Sequence, residues 1–80
     1  MQIQVRLFAI LRDRAGTGEV SLSVRDGATA RDAAELLAEQ KPLRDFLPRI
    51  GYAVNRNYVS PETILHDGDE LALIPPVSGG

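Results

Sequence analysis

Apolar and polar residues alternate from the start of the chain. Ile3, Val5 and Leu7 fall on one side of an extended backbone, with Gln2, Gln4 and Arg6 on the other, the period-two pattern of a half-buried strand. We read one strand over residues 2–9. The pattern returns after Gly16 and Gly18, which signal a turn, with Val20, Leu22 and Val24 inward and Glu19, Ser21, Ser23 and Arg25 outward. These two strands are expected to form a hairpin joined by a long loop.

Beyond Asp26 and Gly27 the period changes. Thr29 followed three residues later by Asp32 resembles a capping box, and an acidic first turn suits the helix dipole. A helix is predicted over residues 30–41, with Ala30, Ala33, Ala34 and Leu37 as its apolar stripe and Pro42 as its stop. The small alanines imply close packing of helix on sheet. Residues 42–50, bounded by Pro42 and Pro48, read as an irregular connection whose Leu43, Phe46, Leu47 and Ile50 cover the core edge. Residues 52–54 and 58–59 flank a tight Asn55, Arg56, Asn57 turn. A further turn over 65–69 leads into a last strand, with Leu71 and Leu73 at its core positions.

The order β-β-α-β-β-β predicts an α+β domain over residues 1–74, a mixed sheet curled around one helix with the last strand beside the first. Residues 75–80 then form a tail. Within 80 residues, 44% hydrophobic and 25% charged, one compact domain with one core is expected.

A formal charge of -2, with acidic and basic residues interspersed, gives no basic stripe for phosphates, so nucleic acid is not an expected partner. No apolar run is long enough for a bilayer, and MQIQVRLF lacks the order of a signal peptide; the expected setting is the cytoplasm, away from membranes. Absence of cysteine removes disulfides, thiolate metal sites and a cysteine nucleophile. His66 lies in a turn beside Asp67 with no partners for a triad or metal site. Asp67, Gly68, Asp69 and Glu70 lack the spacing of a calcium loop. Gly16 and Gly18 lack the third glycine and lysine of a phosphate loop. No metal and no bound cofactor are expected.

The ending Pro75, Pro76, Val77, Ser78, Gly79, Gly80 carries the candidate chemistry. Two prolines favour an extended exit and stop the strand's hydrogen-bond ladder. At about 3.3 Å per residue the segment spans roughly 20 Å, enough to enter a neighbouring protein's active site. Terminal glycines pass a narrow channel and leave the last carbonyl open to attack. A carboxylate is a poor electrophile; adenylation by a partner using ATP makes it a mixed anhydride, from which sulfur displaces AMP and leaves a thiocarboxylate. The plain alternative is an inert chain end. With glycine at about 7% of residues, such a pair arises by chance in roughly 0.5% of chains.

Three segments, VRLFAILRDRAG, AVNRNYVS and LHDGDELALIPPVSGG, resemble the MoaD family, the small subunits of molybdopterin synthase, across essentially the whole chain. The resemblance implies a β-grasp (ubiquitin-like) fold and a sulfur carrier with no catalytic side chains of its own. It implies that Gly80 is adenylated by an E1-like enzyme of the MoeB type, which supplies ATP and Mg, and is then thiocarboxylated. It further implies insertion of the tail into a large subunit of the MoaE type, where sulfur reaches cyclic pyranopterin monophosphate during molybdenum cofactor biosynthesis. The implied assembly is a heterotetramer of two small and two large subunits. The chain departs from many such relatives in having Ile74, rather than an aromatic residue, before the two prolines. Carriers for thiamine, tRNA thiolation or cysteine synthesis, and ubiquitin-like protein modifiers, remain alternatives, as does an interaction module with an inert tail.

Strand parity adds one expectation. If Leu7 and Leu73 face the core, then Phe8, Ala72 and Ile74 face outward, as Tyr58 does opposite Val59. Phe8, Tyr58 and Ile74, with Arg12 at the rim, are the candidate partner-binding residues beside the tail's root.

Overall fold

The computed structural model describes residues 1–76; the expectations for Val77, Ser78, Gly79 and Gly80 lie outside the described residues. Along the chain run β1 (Gln2–Leu7), α1 (Ala9–Ala15), β2 (Glu19–Ser23), α2 (Ala30–Gln40), a short 3-10 helix (Arg44–Arg49), β3 (Gly51–Val54), β4 (Asn57–Val59) and β5 (Glu70–Ile74). The strands form one sheet ordered β2-β1-β5-β3-β4. The pair β1–β5 is parallel and the other three pairs are antiparallel. The last strand therefore lies beside the first, with Leu7 opposite Leu73. A mixed sheet carrying one long helix on its apolar face is the β-grasp architecture.

Alternation along β1 and β5 places Ile3, Val5, Leu7, Leu71 and Leu73 at 2% exposure or less. Ala30, Ala33, Ala34 and Leu37 of α2 lie at 1% or less above them. Three alanines bring the helix backbone close, so the sheet's leucines fill the gap between layers.

The start of α2 is fully tied. The Thr29 hydroxyl accepts from Asp32 N–H at 3.1 Å, while an Asp32 carboxylate oxygen accepts from Thr29 N–H at 3.0 Å. The Ala30 and Arg31 N–H groups donate to the carbonyls of Thr63 and Pro61, both at 2.9 Å. The helix ends at Gln40, with Lys41 extended ahead of Pro42.

Two expectations are corrected. Residues 2–9 are not one strand: β1 stops at Leu7, and the long loop is largely helix α1. Ala9 turns the chain with φ 48°, Leu11 and Ala15 bury the inner side of the new helix, and Gly16 caps it at φ 80°. The connection over 42–50 is likewise not irregular throughout, since the Arg44–Arg49 3-10 helix occupies it. The expected cover holds, with Leu43 buried and Phe46, Leu47 and Ile50 packed against the core.

Candidate functional site

The open face of the sheet is set by register. Arg6 on β1 stands opposite Ala72 on β5, Ala72 opposite Ala53 on β3, and Ala53 opposite Tyr58 on β4. A row that is small in the middle and large at both ends makes a trough. Phe8 and Ile74 close it at one end and Glu70 and Arg56 at the other, around a concavity of about 380 Å³.

Its apolar members are unevenly covered. Tyr58 is 82% exposed and Phe8 40%, Ile74 is half-buried, and Ala53 lies beneath its neighbours at 6%. The Arg6 guanidinium stands 5.9 Å from the Phe8 ring and 3.6 Å from the Glu70 carboxylate. The Arg6–Glu70 pair balances its own charge and Arg56 adds a positive charge at that end, whereas the other end is apolar.

Phe8 belongs to this face although it lies outside β1. As the residue before α1 it keeps extended angles, φ -129° and ψ 154°, so β1's alternation carries one residue past the ladder. Tyr58 and Arg56 arrive through the β3–β4 hairpin, whose central residues Asn55 and Arg56 have φ 50° and 72°. Positive φ at both positions is the type I′ geometry that matches strand twist. From Ile74 the chain leaves the sheet through Pro75 and Pro76, neither of which pairs as strand. The apolar end of the trough is therefore the end at which the described chain departs toward Val77–Gly80.

The structure brings Phe8, Tyr58, Ala72 and Ile74 together around one concavity, and it does not bring Arg12 there. Arg12 sits on α1, exposed, in a separate notch with Asp13, Gly16, Thr17 and Gly18, because α1 turns the chain away after Phe8. Arg6, Arg56 and Glu70 line the trough without having been singled out in the sequence. Arg6 and Glu70 share parity with Phe8 and Ile74, a signal that was available; Arg56 depends on a turn geometry unusual for arginine. Among the described residues no group of three His, Asp or Glu side chains is placed to hold a metal ion. His66 is 82% exposed, its Nδ1 3.8 Å from an Asp69 carboxylate oxygen.

Comparison with known proteins agrees with this geometry. Residues 5–80 match the ThiS family. The molybdopterin synthase sulfur carrier subunit of Chlamydomonas reinhardtii is 41% identical, with 100% of both chains covered. The crystal structure of SAMP1 from Haloferax volcanii superposes with a TM-score of 0.87 at 35% identity, covering 100% of both chains. A chain of the complex of subunits 1 and 2 of molybdopterin-converting factor from Helicobacter pylori gives a TM-score of 0.71 at 27% identity, again covering 100% of both.

Proposed function

The chain belongs to the ThiS family, and from that premise we propose that it is the sulfur-carrier subunit of a molybdopterin synthase, acting in the cytoplasm through its Gly80 carboxylate. An E1-like activating enzyme transfers AMP from ATP to that carboxylate and releases pyrophosphate. A hydrosulfide equivalent then displaces AMP, replacing one oxygen by sulfur with no change in oxidation state. The thiocarboxylate is a tethered nucleophile that the tail carries into a large subunit, where sulfur passes to cyclic pyranopterin monophosphate. The large subunit supplies the catalytic side chains, and two copies of each subunit make the complex.

The observation that carries the reading is the position of the trough. A partner seated on Phe8, Tyr58 and Ile74 covers the end of β5, and the segment from Pro75 to Gly80 then enters that partner rather than solvent. A central apolar patch with a matched ion pair at its rim has the anatomy of a protein interface. Molybdopterin formed by the chain with a large subunit and an activating enzyme is the direct assay. Deleting Gly80 should abolish product while leaving the unfolding curve unchanged, and retained product would refute the role.

A second reading is favoured by the likeness to a small archaeal modifier protein: the same activated Gly80 forming an isopeptide with lysine on other proteins. Higher-mass adducts on cellular proteins, lost on deleting Gly80, distinguish it from sulfur transfer.

A further inference from the structure

Strand β2 ends the sheet on the side away from the trough's hairpin, so half of its backbone groups have no neighbouring strand. Its register shows which half. Met1 and Val24 exchange backbone hydrogen bonds, both 2.8 Å, and Leu7 N–H donates to the Gly18 carbonyl at 2.9 Å. Ile3 opposite Leu22 and Val5 opposite Val20 complete the series. Antiparallel alternation therefore turns Val20, Leu22 and Val24 toward β1 and Glu19, Ser21 and Ser23 outward. Glu19 is closed locally, since the Thr17 hydroxyl donates to its carbonyl at 3.1 Å and accepts from its N–H at 3.3 Å. Among the described residues, Ser21 and Ser23 carry the open pairing groups of this edge.

Beside them, between β2 and α2, runs a groove of about 360 Å³. Val24, Ala28 and Leu36 supply its apolar surface, with Asp32, Glu35 and Glu39 along the helix side. Asp32 is engaged by Arg25 at 2.9 Å and by the helix cap. The charge that faces the groove is then that of Glu35 and Glu39, both exposed, which lie one helical turn apart at about 6 Å.

We propose that this edge and groove accept an extended basic segment of a partner protein as an added strand. Its backbone pairs with Ser21 and Ser23. One apolar side chain settles over Val24, Ala28 and Leu36, and lysine or arginine on the same face meets Glu35 and Glu39. Alternate side chains of a strand lie about 6.8 Å apart, close to the spacing of the two carboxylates. Strand addition supplies affinity through the main chain and selectivity through alternate side chains. A second copy of this chain fits poorly, because edge-to-edge pairing of two β2 strands would bring the two α2 carboxylate rows together. The surface is separate from the trough, so the inference does not rest on the carrier reading.

The test is an amide NMR titration of the full chain with a short blocked peptide in which Val, Lys and Lys, in that order, alternate with Thr, so that the two lysines are alternate residues on one face. Saturable shifts are expected at Ser21, Ser23 and Leu36. Binding should weaken by roughly threefold or more in Glu35→Gln/Glu39→Gln. Glu35→Lys/Glu39→Lys should prefer the counterpart peptide with Glu in place of Lys; both positions are exposed, so the fold is kept. No shift at Ser21 and Ser23 at about millimolar peptide, shifts confined to the Phe8 and Tyr58 face, or equal binding by the charge variants would overturn the proposal. So would shifts that follow protein concentration without peptide, which would make the occupant a second copy.

Discussion

Asn55 and Asp69 are joined across the sheet's end: the Asn55 side-chain amide donates to an Asp69 carboxylate oxygen at 3.0 Å. The other half of the same side chain accepts from Glu70 N–H at 3.0 Å, and Asn55 N–H donates to the Glu70 carbonyl at 2.8 Å. One residue in a left-handed conformation thus fastens the β3–β4 turn to the start of β5, which sets Arg56 and Tyr58 alongside Glu70 and Ala72. Asn55→Gly keeps the backbone angle and loses the side-chain bonds, at a cost of about 1 kcal/mol. Asn55→Ala adds left-handed strain of about 1 kcal/mol more. Urea unfolding should show the two midpoints falling in that order with an unchanged slope.

Stability should fall at both ends of the pH scale for identifiable reasons. The Thr29 backbone N–H, then the Thr29 hydroxyl, Arg25 and Arg31, hold Asp32 below its ordinary value of 3.8. Its contribution is therefore present above pH 3.8 and is lost as pH falls further toward the folded value. Burial pushes the Tyr52 phenol above its ordinary 10.0, so the fold, which holds that proton more tightly than the unfolded chain, loses stability as pH rises past 10.0. Asp32→Asn should flatten the acid limb of a stability–pH profile and Tyr52→Phe the alkaline limb. An acid limb unchanged in Asp32→Asn would show that other carboxylates set it.

Docking should depend on the trough and not on α1. Ile74→Asp places a charge at its apolar end and should weaken binding to the large subunit by about tenfold or more, with the unfolding midpoint little changed because Ile74 is only half-buried. Arg12→Ala, in its separate notch, should leave affinity within about threefold. Calorimetric titration of both variants decides the point; undiminished affinity in Ile74→Asp would remove the trough from the interface.

Most of the sheet is legible in the alternation of the chain, because a buried face allows only one register. Ile3, Val5 and Leu7 could not be shifted by one residue without turning the core outward. The capping box over Thr29 and Asp32 is equally readable, being local. Helix α1 was missed because at seven residues it is too short for periodicity to outweigh the strand pattern before it, and because its entry needs a left-handed Ala9 that alanine does not advertise. Leu11 and Ala15, four residues apart and followed by Gly16, were the signal for it. Arg12 follows Phe8 by one turn of α1 and lines a notch of its own, a placement that strand parity alone does not give. The trough's apolar residues followed from parity, whereas its charged end required the hairpin geometry that carries Arg56.

The most direct test of the account is the intact mass and C-terminal peptide mass of the chain after incubation with an E1-like activating enzyme, ATP and a sulfide donor. Sulfur in place of one oxygen at Gly80, absent when ATP is withheld, is the predicted result. An unchanged carboxylate under conditions that charge a known carrier would contradict it.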